Sequence, residues 1–262
     1  MATAAEIREL LATAPLQVHG RLLDSSNSAL VVIAQDGPLQ CAAVYKPLSG
    51  ERRLWDFPAR TLAHREVSAY DLSQMLGWDI VPPTVWRSEG PAGPGMCQLW
   101  IDSSEPDGYA GIFAEQNVPA GWHPIIEGRG ESGEILLVAH SDAEVLRRLA
   151  VFDVLANNAD RKIGHLLVDG PRLFGIDHGV TFNVVPKLRT VLWGFTGTPL
   201  GPDIVTALEL FLADFGRFGP VLGIHLSDDE VELTRARARR MLANGVFPGP
   251  GRDGPAVPWP IV

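Results

Sequence analysis

The chain has 262 residues, of which 46% are hydrophobic and 20% charged, a composition typical of soluble globular proteins with one or two buried cores. Its net charge of −9 disfavours nucleic acid and anionic membranes as partners, because both attract clustered Lys and Arg. No apolar run reaches the roughly 18 residues of a membrane-spanning helix, and the N-terminus lacks a signal-peptide layout. We therefore expect a cytoplasmic protein without integral membrane association. Cys41 and Cys97 lack metal-ligand spacing, which favours buried structural roles.

The first part of the chain alternates apolar runs with turn residues, a pattern typical of antiparallel strands. One later segment instead carries apolar residues at helical spacing and is closed by Gly77. In chain order, the predicted elements are a helix at 4–11, three antiparallel strands between 16 and 46, a helix at 61–77, and strands at 79–87 and 95–102.

The rest of the chain is mostly helical in pattern, with helices predicted at 142–156, 204–215 and 228–242. A β-hairpin is predicted between 166 and 177, with its turn at Asp169 and Gly170. The stretch 103–133 is rich in Gly and Pro and lacks periodicity, so we expect an insertion without regular structure. The segment 245–262 should be an extended tail, and three alternatives are open for it: its prolines dock onto the lobes, engage a partner, or remain disordered, which is the default. Strands followed by helices predict an α+β arrangement, with an N-lobe at 1–101 and a C-lobe at 102–244 that contains the insertion.

The stretch from 149 to 182 carries the most polar chemistry. A predicted helix leads into a loop crowded with polar residues, and the hairpin then returns the chain so that Asp160 and Asp177 lie near each other. Phosphoryl transfer needs one carboxylate to orient a hydroxyl and accept its proton, and another to hold Mg²⁺ against nucleotide phosphates. These two aspartates can fill both roles. The alternative for Asp160 is a structural one, capping a helix or pairing with Arg161.

Two motifs in this stretch, D-R-K-I-G-H from Asp160 and L-F-G-I-D-H-G-V-T-F around Asp177, resemble those of the phosphoinositide 3-kinase and 4-kinase superfamily. That superfamily reads D-R-x-x-x-N and I-D-F-G. The resemblance implies a two-lobed protein-kinase-like fold with a small antiparallel β-rich N-lobe and a larger helical C-lobe. It also implies that Asp160 is the catalytic base, that Asp177 is the main metal ligand, and that Lys162 assists at the transferred phosphate.

His165 departs from the superfamily pattern, because it stands where the second metal-binding Asn is expected. Imidazole is a softer ligand than an amide oxygen and suits Mg²⁺ less well. Three alternatives follow: His165 contacts a phosphate, it favours Mn²⁺, or it marks weakened catalysis.

The upstream residues agree with this resemblance. Lys46 ends the third predicted strand, where kinases place the lysine that reaches the nucleotide phosphates. Glu66 lies one turn into the next helix, in a segment that resembles the superfamily's E-x-x-A-Y-x-L-x-x-x-L-G. The resemblance implies an ion pair between Lys46 and Glu66.

Two further parts of a nucleotide site are implied. The backbone of Gln98, Leu99 and Trp100 would form the hinge that binds adenine. Ser25 and Ser26 replace a Gly-rich phosphate loop; they either bind phosphate through N–H groups and hydroxyls or form an ordinary turn. The tryptophans, including Trp55, are expected in the core or between the lobes.

Together these features predict an ATP-dependent kinase that uses Mg²⁺ or Mn²⁺ and phosphorylates a hydroxyl of a protein or small polar acceptor. The insertion, with Tyr109, Phe113, Trp122 and His123, is a candidate lid or acceptor-binding loop. The superfamily spans lipid kinases and protein kinases, including bacterial toxins of the HipA type. The alternatives are a pseudokinase or nucleotide-sensing module, a phosphoinositide kinase, and an AMP transferase.

Overall fold

A computed structural model describes residues 2–22, 28–103, 108–251 and 254–261. Its helices are α1 (Ala4–Thr13), α2 (Leu62–Met75), α3 (Glu144–Ala156), α4 (Pro202–Ala213), α5 (Phe215–Leu222) and α6 (Asp228–Asn244). Its strands are β1 (Leu16–Arg21), β2 (Leu30–Asp36), β3 (Leu39–Pro47), β4 (Thr84–Arg87), β5 (Gly95–Leu99), β6 (Ala110–Ala114), β7 (His123–Arg129), β8 (Ile135–His140), β9 (Leu166–Asp169) and β10 (Arg172–Gly175).

The N-terminal half is built on a five-stranded antiparallel sheet with the strand order β1-β2-β3-β5-β4. Alternating apolar residues such as Val32, Ala43 and Tyr45 bury one face of the sheet against α1. Strand β3 lies in the middle of the sheet, and its Lys46 pairs across the ladder with Met96 of β5. The ladder with β5 therefore holds the backbone of Lys46 at the end of a central strand.

Helix α2 joins the sheet to the helical half of the molecule. It is buried on almost every side, including its polar residues Arg65 and Glu66. The helix ends before Gly77, whose φ of +67° lies in the left-handed region that glycine tolerates best. Because α2 is enclosed by protein, its buried charged side chains Arg65 and Glu66 find their partners within the fold.

The C-terminal half packs its helices around one large apolar core that contains most of the buried side chains of α3 and α4. Helix α3 ends at Asn157, which adopts a left-handed conformation with φ of +48°. The β9–β10 hairpin follows and turns at Gly170, as the sequence predicted. Together they deliver the loop 157–165 and the segment after Gly175 to one edge of this half.

The expectation of an irregular insertion at 103–133 is wrong. The region contains β6 and β7, which flank β8 in a three-stranded antiparallel sheet. Its periodicity is masked because Gly111 and Gly128 occupy strand positions, and a register shift occurs between Pro124 and Ile126. The sheet also needs β8, which lies beyond the expected boundary of the insertion.

The C-terminal segment is docked, contrary to the expectation of disorder. Phe247 is buried and packs against Phe195, with ring centroids 5.4 Å apart. Farther along, the Ala256 carbonyl accepts hydrogen bonds from the backbone N–H of Thr190 and from the Trp193 indole. Burial of Phe247 and Pro258 helps to hold the described parts of this segment. In the parts of the chain that the structure describes, no helix is both long and apolar enough to cross a membrane.

Candidate active site

Three charged side chains meet where the sheet faces the helical half. The Nζ atom of Lys46 lies 2.6 Å from Oε1 of Glu66 and 2.8 Å from Oδ1 of Asp177. The other carboxylate oxygen of Glu66, Oε2, accepts a hydrogen bond of 2.9 Å from the backbone N–H of His178. The structure thus forms the ion pair that the resemblance implied, and it adds Asp177 to the same ammonium group.

The electrostatics of this cluster follow from one cation placed between two carboxylates. Burial acts to lower the pKa of Lys46, but the nearby charges of Asp177 and Glu66 outweigh it, so the pKa of Lys46 is raised. The Lys46 ammonium in turn holds the pKa of Asp177 below its ordinary value. Lys46 and Asp177 are therefore charged at neutral pH.

Asp177 has an unusual backbone conformation. Its φ of +59° lies in the left-handed region, which non-glycine residues adopt at an energetic cost that Asp bears better than most. The adjacent backbone is held at both sides, since the Ile176 carbonyl accepts from Arg161 and the His178 N–H donates to Glu66. Such enforced conformations are concentrated at functional sites, because there the surrounding structure can hold them.

The loop that carries Asp160 is anchored by a buried ion pair. Arg161 and Asp153 are both fully buried, and Nη2 of Arg161 lies 2.9 Å from Oδ1 of Asp153. The Asn158 amide donates to Asp153, and its Oδ1 atom accepts from the backbone N–H of Asp160. The alternative in which Arg161 pairs with Asp160 is therefore wrong: Arg161 points into the core and leaves Asp160 at the surface of the site.

Asp160 is held as a weakly paired carboxylate. Its closest ionic partner is Lys162, with Nζ 3.5 Å from Oδ2. Burial raises the pKa of Asp160 to about 6, and this effect outweighs the opposing charge of Lys162. A carboxylate with a pKa near the working pH can be deprotonated and still accept a proton readily, as a general base must.

His165 lies on the other side of Asp177, with Nε2 3.5 Å from Oδ2. Burial lowers the pKa of His165 to about 4, so its imidazole is neutral at pH 7 and can offer a lone pair. Across the described ranges, no cluster of three or more His, Cys, Asp or Glu residues could enclose a metal. The Asp177 carboxylate fits Mg²⁺ or Mn²⁺ that takes its remaining ligands from phosphates and water, whereas the His165 imidazole is the weaker ligand of the pair for such a hard cation.

The predicted hinge residues make several hydrogen bonds within the sheet. The backbone N–H groups of Leu99 and Trp100 already donate to the carbonyls of Pro83 and Ala42, at 2.8 and 3.0 Å. The buried Gln98 side chain donates to Thr84. These donors are thus occupied within the sheet, and the role of residues 98–100 in binding adenine stays a prediction. Ser25 and Ser26 lie outside the described residues.

A cavity of about 320 Å³ opens beside Asp160 and Asp177. Its opposite wall comes from the connection between β3 and α2 and includes Trp55, which is 93% exposed. The expectation that Trp55 lies in the core or between the lobes is wrong, because it falls in a polar stretch without apolar periodicity. That polarity is the signal that should have predicted exposure.

Sequence reasoning also missed Arg189, which lines the same cavity. It follows Asp177 by twelve positions and belongs to no sequence pattern, so only the folded chain shows that it lies at the cavity. The aromatic residues of the expected acceptor loop do not line this cavity: Phe113 and Trp122 pack on each other, with ring centroids 5.3 Å apart.

The fold can now be compared with known proteins. No protein-family profile matches the chain. A Golgi casein kinase structure aligns with 92% of this chain and 73% of its own at a TM-score of 0.57, and the same kinase with Mn/ADP bound aligns at 0.55 over 92% and 74%. The structure of hydra Fam20 with sugar aligns at 0.52 over 92% and 88%.

All three structures share only 13% identity with the chain, so the similarity establishes the fold alone. It confirms the α+β, kinase-like architecture expected from the sequence. A much closer relative is the protein Rv2133c of Mycobacterium tuberculosis (strain ATCC 25618 / H37Rv), which is 42% identical over 264 residues that cover 96% of this chain and 94% of the relative. The chain belongs to the same family as Rv2133c.

Proposed function

We propose that this protein is an ATP-dependent kinase that transfers the γ-phosphate of ATP to a hydroxyl group. The observation that carries the proposal is that carboxylate oxygens of Glu66 and Asp177 both lie within 2.8 Å of the Nζ atom of Lys46. Asp160 lines the same cavity as Asp177. A lysine oriented by a helix glutamate, a metal-binding aspartate and a separate basic aspartate are the parts that kinase chemistry requires. The kinase fold of its structural neighbours supports the same function.

Each residue has a distinct task in this proposal. Lys46 binds nucleotide phosphates, and Glu66 holds it in position. Asp177 and His165 hold Mg²⁺ or Mn²⁺, which when bound neutralises charge on the phosphates. Asp160 orients the acceptor hydroxyl.

The transfer step exchanges one bond to the γ-phosphorus for another. The acceptor oxygen forms a bond to the γ-phosphorus, the bond between that phosphorus and the β–γ bridging oxygen breaks, and ADP leaves with that electron pair. The proton of the hydroxyl passes to the carboxylate of Asp160. Lys162, 3.5 Å from Asp160, is placed to stabilise negative charge on the phosphoryl group as it moves.

The phosphoinositide 3-kinase and 4-kinase superfamily remains our prediction for the ancestry of the motifs, with HipA-type kinases as a more distant relation. A lipid acceptor is disfavoured by the net charge of −9, because anionic membranes attract basic surfaces. We expect a protein or small polar acceptor and a cytoplasmic location. The assignment of residues 1–101 and 102–244 to the two lobes, with 245–262 as a separate segment, is likewise part of the proposal.

A second candidate, a nucleotide-sensing pseudokinase, is favoured by one observation. His165 occupies the position of the second metal-binding amide, and a weaker Mg²⁺ ligand there would slow turnover without preventing nucleotide binding. The retention of Lys46 and both aspartates argues for the active enzyme. An AMP transferase would use the same residues with the nucleotide reversed.

Incubation with γ-labelled ATP and Mg²⁺ or Mn²⁺ tests the proposal. Wild type should hydrolyse ATP or label itself, and Asp160→Ala and Asp177→Ala should lose at least about 100-fold of this activity. Asp214→Ala, at an exposed position 56% accessible, is the matched control and should retain it. Mass spectrometry of the product separates transfer of phosphate from transfer of AMP. Nucleotide binding without turnover by wild type in either metal would overturn the kinase proposal in favour of the pseudokinase.

A further inference from the structure

Of the groups proposed to hold the nucleotide and its metal, Asp177 lines the cavity beside Asp160, whereas Lys46 and Glu66 do not. The described lining of this cavity thus includes both aspartates, and Lys46 and Glu66 instead line a distinct small cavity of about 20 Å³. The hinge residues 98–100 do not line it either. The cavity therefore lies on the side of the carboxylates where the acceptor must enter.

Arg189 supplies an unmatched positive charge to this cavity. Its backbone is held against the catalytic loop, since its N–H donates to Asn158 and its carbonyl accepts from the N–H of Arg161, at 2.9 and 3.0 Å. Within the part of the chain that the structure describes, no carboxylate pairs with the half-buried Arg189 side chain. Each carboxylate that lines the cavity has a lysine partner other than Arg189: Asp177 pairs with Lys46, Asp56 with Lys187 and, more weakly, Asp160 with Lys162. A guanidinium without a counterion, carried on a backbone that is held in place, matches a carboxylate or phosphate, which it can bind through two hydrogen bonds.

Trp55 provides an apolar surface at the mouth of the cavity. The loop that carries it is fixed, because Asp56 binds Lys187 at 2.8 Å and the Asp56 carbonyl accepts from Asn183. The Lys187 ammonium lies 5.4 Å from the centre of the indole ring. An exposed tryptophan on a fixed loop is typical of a residue that becomes covered when a ligand binds.

We infer that this cavity selects an acceptor that carries an anionic group, a carboxylate or phosphate, next to the hydroxyl to be phosphorylated. Arg189 binds the anionic group, Trp55 contacts the body of the acceptor, and the hydroxyl is presented to Asp160. The inference rests on the proposed function, and it adds the chemical class of the acceptor. A cavity of about 320 Å³ is at the lower end of the size range of small-molecule sites, which accommodates one such group and its neighbours.

The test compares matched neutral and anionic ligands. The full chain, with Mn²⁺ and a non-hydrolysable ATP analogue, is titrated calorimetrically with glycerol and glycerol 3-phosphate, glucose and glucose 6-phosphate, and serine peptides with neutral or acidic flanks. At least one anionic member should bind about tenfold or more tighter than its neutral partner, a difference of about 1.4 kcal/mol. Small-molecule and peptide pairs separate the two possible sources of the same chemistry.

Variants assign the preference to residues. Arg189→Ala should lose the preference for the anionic member, and Arg189→Lys should keep part of it, because lysine retains the charge but not the paired hydrogen bonds. Trp55→Ala should weaken both members of a pair equally. Arg217→Ala, 74% exposed and paired with Asp214, is the control and should leave the preference intact.

Two results would overturn the inference: no anionic member that wild type prefers, or a preference that survives in Arg189→Ala. The same titrations without nucleotide distinguish this failure from that of the proposed function. If wild type does not turn over ATP but still prefers the anionic ligand, the kinase proposal is refuted and the anion site stands.

Discussion

Replacing Asp160 with asparagine should stabilise the metal-free protein at neutral pH while abolishing phosphoryl transfer. Burial raises the pKa of Asp160 from its ordinary value of 3.8 to about 6. The folded protein therefore binds this proton more tightly than the unfolded chain does. The contribution of Asp160 to the free energy of unfolding consequently falls as pH rises from about 4 to about 6. Asparagine has nearly the same shape without the charge, so it removes this cost.

The size of the gain follows from the pKa difference. About two pKa units correspond to roughly 3 kcal/mol. The Asp160 side chain is 30% exposed, and asparagine also forfeits the contact with Lys162. Allowing for solvent screening, we expect a net gain of about 1–2 kcal/mol above pH 6. In a chain of this length, that raises the melting temperature by about 3–6 °C.

Urea unfolding in the presence of a chelator measures this gain. The difference between Asp160→Asn and wild type should be largest near about pH 7.5 and should shrink as pH falls toward about 4.5. Asp214→Asn, at an exposed aspartate, should change stability by less than about 0.5 kcal/mol at either pH. A variant no more stable than wild type near neutral pH, or a gain that is the same at both pH values, would refute the assignment of a buried, destabilising charge.

Three further predictions concern the same region. ATP turnover should fall below about pH 6, because Asp160 must be deprotonated to accept the hydroxyl proton; a flat profile between about pH 5 and 7 contradicts this role. Lys46→Met leaves two carboxylates without their shared cation and should lower turnover of labelled ATP at least about 100-fold, whereas an unchanged rate would exclude Lys46 from phosphate binding. Arg65→Ala leaves the mostly buried Glu230 unpaired and should lower the free energy of unfolding by about 3–5 kcal/mol in urea, with Arg217→Ala as an unaffected control.

The anchoring of α2 explains why the Arg65 prediction is large. The Nη2 atom of Arg65 lies 2.5 Å from Oε1 of Glu230 in α6, and its Nη1 atom donates to the Thr181 carbonyl. The next residue in the helix is Glu66, which orients Lys46. Stability of the helix junction and the geometry of the charged cluster are therefore coupled through adjacent residues.

Local sequence features predicted much of the framework. Apolar runs separated by turn residues identified the first three strands, and helical spacing together with Gly77 identified α2. The Asp169–Gly170 turn and the spacing between Asp160 and Asp177 predicted that the chain returns to the same place. These features are readable because each depends on neighbouring residues within a few turns or one hairpin. The chemical roles of Asp160 and Asp177 remain predictions.

Other features depend on contacts between distant segments, and only the tertiary structure decided them. Arg161 pairs with the buried Asp153 and not with its neighbour Asp160, and Asp153 also accepts a hydrogen bond from Asn158. The sheet of β6, β7 and β8 formed despite weak local patterns, because its backbone hydrogen bonds are made between strands.

The pKa of Asp160 and the position of Arg189 also depend on contacts between distant segments. Both depend on what surrounds a side chain after folding: burial of the carboxylate in one case, and a backbone hydrogen bond to Asn158 in the other. The sequence by itself determined which charged groups are available for chemistry. The fold decided which of them remain unpaired and face a common cavity, because desolvation and long-range pairing exist only in the packed state.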